Sequence, residues 1–151
     1  MELTICVFGA SQVGKKTYVN RLTAGVYNNN LQRTFHTEMT TLGPITITYV
    51  VSREPIADCN GYILLSDVAR PQTMRGYYNI PNYVVIATNK CDGPIVTDPL
   101  HISAKWNKNL LEPVIAIMRT FYGDISFTEN IAVAPPVVQL VPMIIQQLQM
   151  N

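Results

Sequence analysis

The chain has 151 residues, 48% of them hydrophobic and only 14% charged, with a formal net charge of +1. That length suits one domain with a single filled core. A near-neutral chain without a run of Lys or Arg lacks the concentrated positive charge that nucleic acid or an anionic membrane surface demands, so neither is expected as a partner.

Cys6, Cys59 and Cys91 are odd in number and share no metal-ligand spacing, which predicts three reduced thiols. Met1 and Glu2 lead straight into an apolar run with no signal-peptide pattern, and no apolar stretch approaches the roughly 18 residues of a membrane span. The expectation is an intracellular protein of the cytoplasm, the nucleus or both.

In chain order, Leu3 to Phe8 (LTICVF) is apolar on both faces and bounded by Gly9, the signature of a buried parallel strand. Lys16 to Thr23 reads as a helix. Further strands are expected at Ile45 to Val51 (ITITYVV), Tyr62 to Leu65 (YILL) and Tyr83 to Ala87 (YVVIA), with a weaker one at Leu100 to Ile102. Leu110 to Phe121 reads as a second helix, with Leu110, Leu111, Val114, Ile115 and Met118 on its apolar face and Pro113 near its start. Strands alternating with helices imply an α/β layered sheet.

The strongest chemical signal follows the first strand. Gly9-Ala10-Ser11-Gln12-Val13-Gly14-Lys15 has the GxxxxGK spacing of a phosphate loop, between a strand and a helix as that loop requires. Backbone amides in such a turn converge on one concavity, and the following helix adds its positive end. Lys15 would then meet the β- and γ-phosphates. A second signal, Asn89-Lys90-Cys91-Asp92, follows the YVVIAT strand. A carboxylate at Asp92 can accept the N1 and 2-amino protons of guanine, a pair that adenine does not offer. Asn89 would brace the phosphate loop, and the Lys90 stem would lie along the base. The third, Ser103-Ala104-Lys105, follows the weak strand. There the Ala104 amide could donate to the guanine O6, and Lys105 could cover the other face of the ring. Each motif alone is short; three in this order, each after a strand, form a strong set.

This set resembles the Ras superfamily, whose motifs run phosphate loop, switch I threonine, DxxG, NKxD and SAK. Within it the chain is most similar to the Ran branch, through GPITI at 43–47, NIPNYVVIATNKCDG at 79–93 and AVAPPVV at 132–138. The resemblance spans most of the chain with deletions. It implies a three-layer P-loop NTPase G domain, a shortened form of that branch's six-stranded, mostly parallel sheet, over residues 1–134. It also implies GTP or GDP as ligand, and a protein partner sought first in the Ran nuclear-transport pathway. Counting from Gly25-Val26-Tyr27 places Thr34 at the switch I threonine, although the glycine that the family carries two residues later is absent. A solvated polar loop beside Asn28-Asn29-Asn30 is the plainer alternative for Thr34.

The departures bear on catalysis. The family's GK-Ser/Thr hydroxyl, a Mg²⁺ ligand, is replaced by Lys16, and Thr17 comes one residue late, about 100° further round the helix. The DxxG aspartate should fall near Ser52, yet the chain reads Ser52-Arg53-Glu54-Pro55, with Ile56 where the family positions water with glutamine. The switch II helix is missing altogether, and the segment between Asp67 and Ile80 is too short for the full helix that the Ran branch carries there. Mg²⁺ is therefore doubtful, and the expected protein is a nucleotide-binding pseudo-GTPase that works through partners. A slow or partner-assisted GTPase, a nucleotide-free interaction module and a competitor for Ran partners stay open as alternatives. His36, with no ligand-spaced companions, is expected at the surface, and Trp106 is expected to pack at the end of the sheet.

Residues 135–151 form a separate tail with no charged residue. Pro135-Pro136 favours an extended path, and Pro142 suits the first turn of a short helix through about Met150. Burying even part of Val137, Val138, Leu140, Ile144, Ile145 and Leu148 would contribute roughly 1.5–3 kcal/mol per side chain. Deletion after Pro136 should therefore lower the melting temperature if the tail docks internally near the 110–121 helix. If it serves a partner instead, the truncated chain keeps its stability and loses that complex.

Overall fold

A computed structural model describes residues 1–23, 33–74, 84–91 and 100–127. Five strands form one mixed sheet: β1 (Glu2–Phe8), β2 (Arg33–Thr40), β3 (Gly43–Ser52), β4 (Gly61–Asp67) and β5 (Val84–Asn89), in spatial order β2-β3-β1-β4-β5. β3, β1, β4 and β5 run parallel, and only the edge strand β2 is antiparallel, paired with β3 from Arg33↔Val50 to Thr40↔Gly43. Helices α1 (Lys15–Leu22) and α2 (Glu112–Tyr122) complete the regular structure, with a short 3-10 turn at Pro71–Met74.

The predicted α/β sheet is present, and its order places the site. The chain steps from β1 to β3 on one side and later to β4 and β5 on the other. The loop after β1 therefore opens at the point where strand order reverses, the place where open parallel sheets leave a crevice for ligands.

One apolar core lies on a single face of the sheet. Ile5 and Val7 of β1, Ile45, Ile47, Tyr49 and Val51 of β3, and Ile63 and Leu65 of β4 point to that face. They meet Tyr18, Val19 and Leu22 of α1 and Val114, Ile117 and Met118 of α2. The Tyr18 hydroxyl donates to the Leu110 carbonyl (2.7 Å), joining α1 to the approach of α2. The opposite face carries a smaller cluster of Cys6, Phe8, Tyr62 and Leu64. No helix covers it among the described residues, which therefore show two layers and not the three expected from the sequence. The tail of 135–151 lies outside the described residues.

Two expectations change. Thr34, expected either as the switch I threonine or as part of a polar loop, lies in a strand, β2, that the sequence analysis does not include. The weak strand at Leu100–Ile102 is reduced to a single parallel bridge between Thr88 and His101, held by Thr88 N–H to Leu100 O (2.9 Å) and Ile102 N–H to Thr88 O (2.7 Å). Between β3 and β4 no helix intervenes, in keeping with the expected loss of a switch II helix.

Candidate functional site

The loop from Gly9 to Gly14 joins the end of β1 to α1. Gly9 (φ 152°) lies so close to β4 that a Cβ there would strike the Leu65 carbonyl oxygen, and Gly14 (φ 97°) so close to Asn89 that a Cβ would strike its Nδ2. Gln12 also has a positive φ of 63°. Left-handed residues within such a turn aim successive amides into one concavity. Gly14 is the N-cap of α1 and supplies no side-chain cap, so the first amides of the helix stay open to that concavity.

Two cavities adjoin here. One of about 370 Å³ is lined by Ser11, Gln12, Gly14, Lys15, Lys16, Thr17 and Val51. The other, about 190 Å³, is lined by Gly14, Thr17, Asn89, Lys90, Ala104 and Lys105. Gly14 and Thr17 border both, so the phosphate-loop motif and the two later motifs share one continuous depression. A third, mostly apolar cavity of about 260 Å³ lies away from the loop, beside α2, among Ile115, Met118, Arg119, Ile125, Ser126 and Phe127.

Asn89, 2% exposed at the end of β5, is the brace of the depression. Its Nδ2 donates to the Val13 carbonyl (2.9 Å), and its Oδ1 accepts from the Ala104 amide (3.1 Å). The first bond was expected from the sequence. The second ties Ala104, whose amide was expected from the sequence to serve a base, to the same brace. Ser103 is fully buried, and its hydroxyl accepts from the Trp106 amide (3.2 Å), which shapes the turn. Lys105 places its ammonium over the Trp106 ring, 5.3 Å from the centroid. Trp106 itself is 37% exposed rather than packed at the sheet's end.

The cations are arranged in two groups. Lys15 donates from Nζ to the Gly9 and Ala10 carbonyls (2.6 and 2.8 Å), which curls it over its own loop. Burial, then the nearby charges of Arg53 and Lys16, push its pKa below the usual lysine value. On the other side, Lys90 bonds the Gln12 carbonyl (2.8 Å) and Asp67 Oδ2 (3.1 Å).

Sequence reasoning missed Asp67 and Arg70. The Asp67 carboxylate is almost wholly buried and also holds Arg70 Nε (3.0 Å), whose guanidinium reaches the Ser11 and Gln12 carbonyls (3.2 and 2.9 Å). An acidic residue that closes an apolar strand, with Arg three positions on, was the available signal. Burial pushes the Asp67 pKa up, but the Ala69 amide, Lys90 and Arg70 more than offset it, so the net shift is downward. A depressed carboxylate contributes stability above its ordinary pKa, and that contribution is lost as pH falls through the folded value. Asp67→Asn should therefore cost about 1–3 kcal/mol at neutral pH. Thermal melts should show the gap to the parent chain closing only below about pH 3.8.

Of the other predicted residues, Thr34 lies in β2 with its backbone paired to Tyr49, toward the phosphate-loop end of β3. Its side chain lies outside the description, and so does Asp92. The chain enters Asp92 from Cys91, whose amide donates to the Ile102 carbonyl (3.0 Å). Thr17 is exposed and borders both cavities. His36, expected at the surface, is partly buried and pairs with Glu38 at 3.4 Å. Comparison with known protein families finds none that matches the chain, and a search of curated proteins finds no relative.

Proposed function

We propose that the chain is a guanine-nucleotide-binding protein, a Ran-like pseudo-GTPase that acts through binding rather than turnover. One observation carries this reading: the cavity of the GxxxxGK loop and the cavity of the Asn89-Lys90 and Ser103-Ala104-Lys105 motifs meet at Gly14 and Thr17. The first offers open helix amides and two lysines to a diphosphate. The second is a slot walled by the Lys90 and Lys105 stems, of a kind that suits a flat base.

The family's Mg²⁺ does not fit the residues present. Hard divalent cations bind oxygen ligands, above all carboxylates and hydroxyls. The position of the metal-binding hydroxyl holds Lys16; the hydroxyls that remain in the cavity, of Ser11 and Thr17, come with two ammonium groups and, among the described residues, with no carboxylate. Ile56, at the place of the water-positioning glutamine, has no polar side-chain atom with which to orient water. Phosphoryl transfer depends on positioning and charge neutralisation. The chain therefore holds GTP with turnover no faster than solution background, and a protein partner, sought first in the Ran pathway, reads the bound state. The test is titration with GTP followed by a phosphate-release assay. Stoichiometric binding without release is the expected result; multiple turnovers, or no binding, would overturn the reading.

A further inference from the structure

Among the described residues, the charged side chains that line the phosphate end of the depression are both cations, Lys15 and Lys16. From Leu3 through Thr37 the sequence holds no carboxylate, and its charged side chains are Lys15, Lys16, Arg21 and Arg33. This stretch supplies the loop, α1 and the start of β2. Lys15 and Lys16 both line the cavity, and Lys16 is exposed on the first turn of α1. Val51 of β3 forms the facing wall; the strand ends at Ser52, and Arg53 is the next residue. Arg53 stands near enough to Lys15 to depress its pKa, as does Lys16. The carboxylate after Arg53, Glu54, is exposed, and its carbonyl is tied to the Ser52 hydroxyl.

We propose that this site takes its guanine nucleotide as the metal-free polyphosphate, with Lys16 and Arg53 supplying the charge that Mg²⁺ supplies elsewhere, so that Mg²⁺ competes for the ligand instead of joining it. Three clustered cations repel a divalent ion, yet each favours a phosphate oxygen. A nucleotide chelated by Mg²⁺ carries two fewer negative charges and brings a cation toward Lys16. Free nucleotide brings its full charge and relieves the repulsion among Lys15, Lys16 and Arg53.

This inference rests on nucleotide binding at the same depression, and the experiment separates the two. GDP is titrated calorimetrically into the full chain in EDTA and in millimolar MgCl₂, for the parent, Lys16→Thr and Arg53→Ala. Both positions are exposed, so both variants should fold. The parent should bind GDP at least as tightly in EDTA as with Mg²⁺. Lys16→Thr should weaken metal-free binding roughly 10-fold to 100-fold, the size of one charge-assisted bond. Arg53→Ala should weaken it in the same direction. Parent binding that collapses in EDTA overturns this inference and leaves nucleotide binding intact. Unchanged metal-free affinity in both variants overturns it as well. No GDP binding under either condition removes the underlying reading, and this one with it.

Discussion

GDP should bind up to about 10⁴-fold more tightly than ADP, and Asp92→Ala should erase most of that difference. The magnitude comes from what a wrong base leaves behind. A site that hydrogen-bonds particular donors keeps buried, unpaired polar atoms when those donors are missing, and that penalty exceeds what shape alone provides. On the proposed reading, the cavity lined by Lys90 and Lys105 would itself add little specificity, since lysine stems pack on any flat ring. The Ala104 amide already has a partner in Asn89 at 3.1 Å, which weakens its expected contribution at O6. Selectivity therefore falls on Asp92. The chain enters that residue from a fixed point, since the Cys91 amide is held by Ile102 and Lys90 is tied to Gln12 and Asp67. Competition of labelled GDP by GDP, GTP, ADP and ATP measures the ratio. Equal competition by adenine and guanine nucleotides in the parent chain would remove the guanine assignment.

Asn89→Ala should destabilise the chain by about 2–5 kcal/mol and weaken nucleotide binding by roughly 100-fold or more. Its amide group joins two segments distant in sequence: the Val13 carbonyl in the loop after β1 and the Ala104 amide. Both neighbours are buried, so truncation leaves a donor and an acceptor without partners or water. Each such group costs about 1–3 kcal/mol. Asn89 also defines how closely Gly14 can approach, because a Cβ at Gly14 would strike its Nδ2. Losing it frees the turn that aims the amides. Asn89→Asp keeps the acceptor for Ala104 but loses the donor to Val13 and adds a negative charge beside the phosphates. It should retain more stability than the alanine variant while still binding poorly. Parent-like melting and affinity in Asn89→Ala would show that the brace is dispensable.

The central strands were legible because burial on one or both faces gives continuous apolar runs, as in LTICVF and YILL. β2 was not, and its side chains explain why. In RTFHTEMT the residues packed toward the protein are polar, with Glu38 and Thr40 buried, whereas Phe35 is 69% exposed and Met39 37% exposed. The alternation has the period of a strand, but its hydrophobic half faces outward, so a pattern that assumes apolar residues inside misplaces it. Burial pushes the Glu38 pKa up, and the His36 partner pulls in the other direction, an arrangement that hydrophobicity does not record. At the site, motif spacing identified Asn89, Lys90 and Ala104 and the brace from Asn89 to the loop, but not the Asn89–Ala104 bond or the Lys90–Asp67 pair. Asp67 and Arg70 were missed because they act through tertiary contacts, from the end of β4 to carbonyls 58 and 59 positions away in sequence. A motif names the residues that meet a ligand more readily than those that hold the motif in place.

The most direct test of nucleotide recognition is the identity of what the purified full chain carries. Protein isolated without added nucleotide is denatured, the released small molecules are separated by chromatography, and a parallel sample is titrated with GDP. Near-stoichiometric guanosine nucleotide, or a nucleotide-free chain that binds GDP one to one, is the predicted result. Adenine nucleotide in the released fraction, or an empty chain that gives no heat with GDP, would contradict the account.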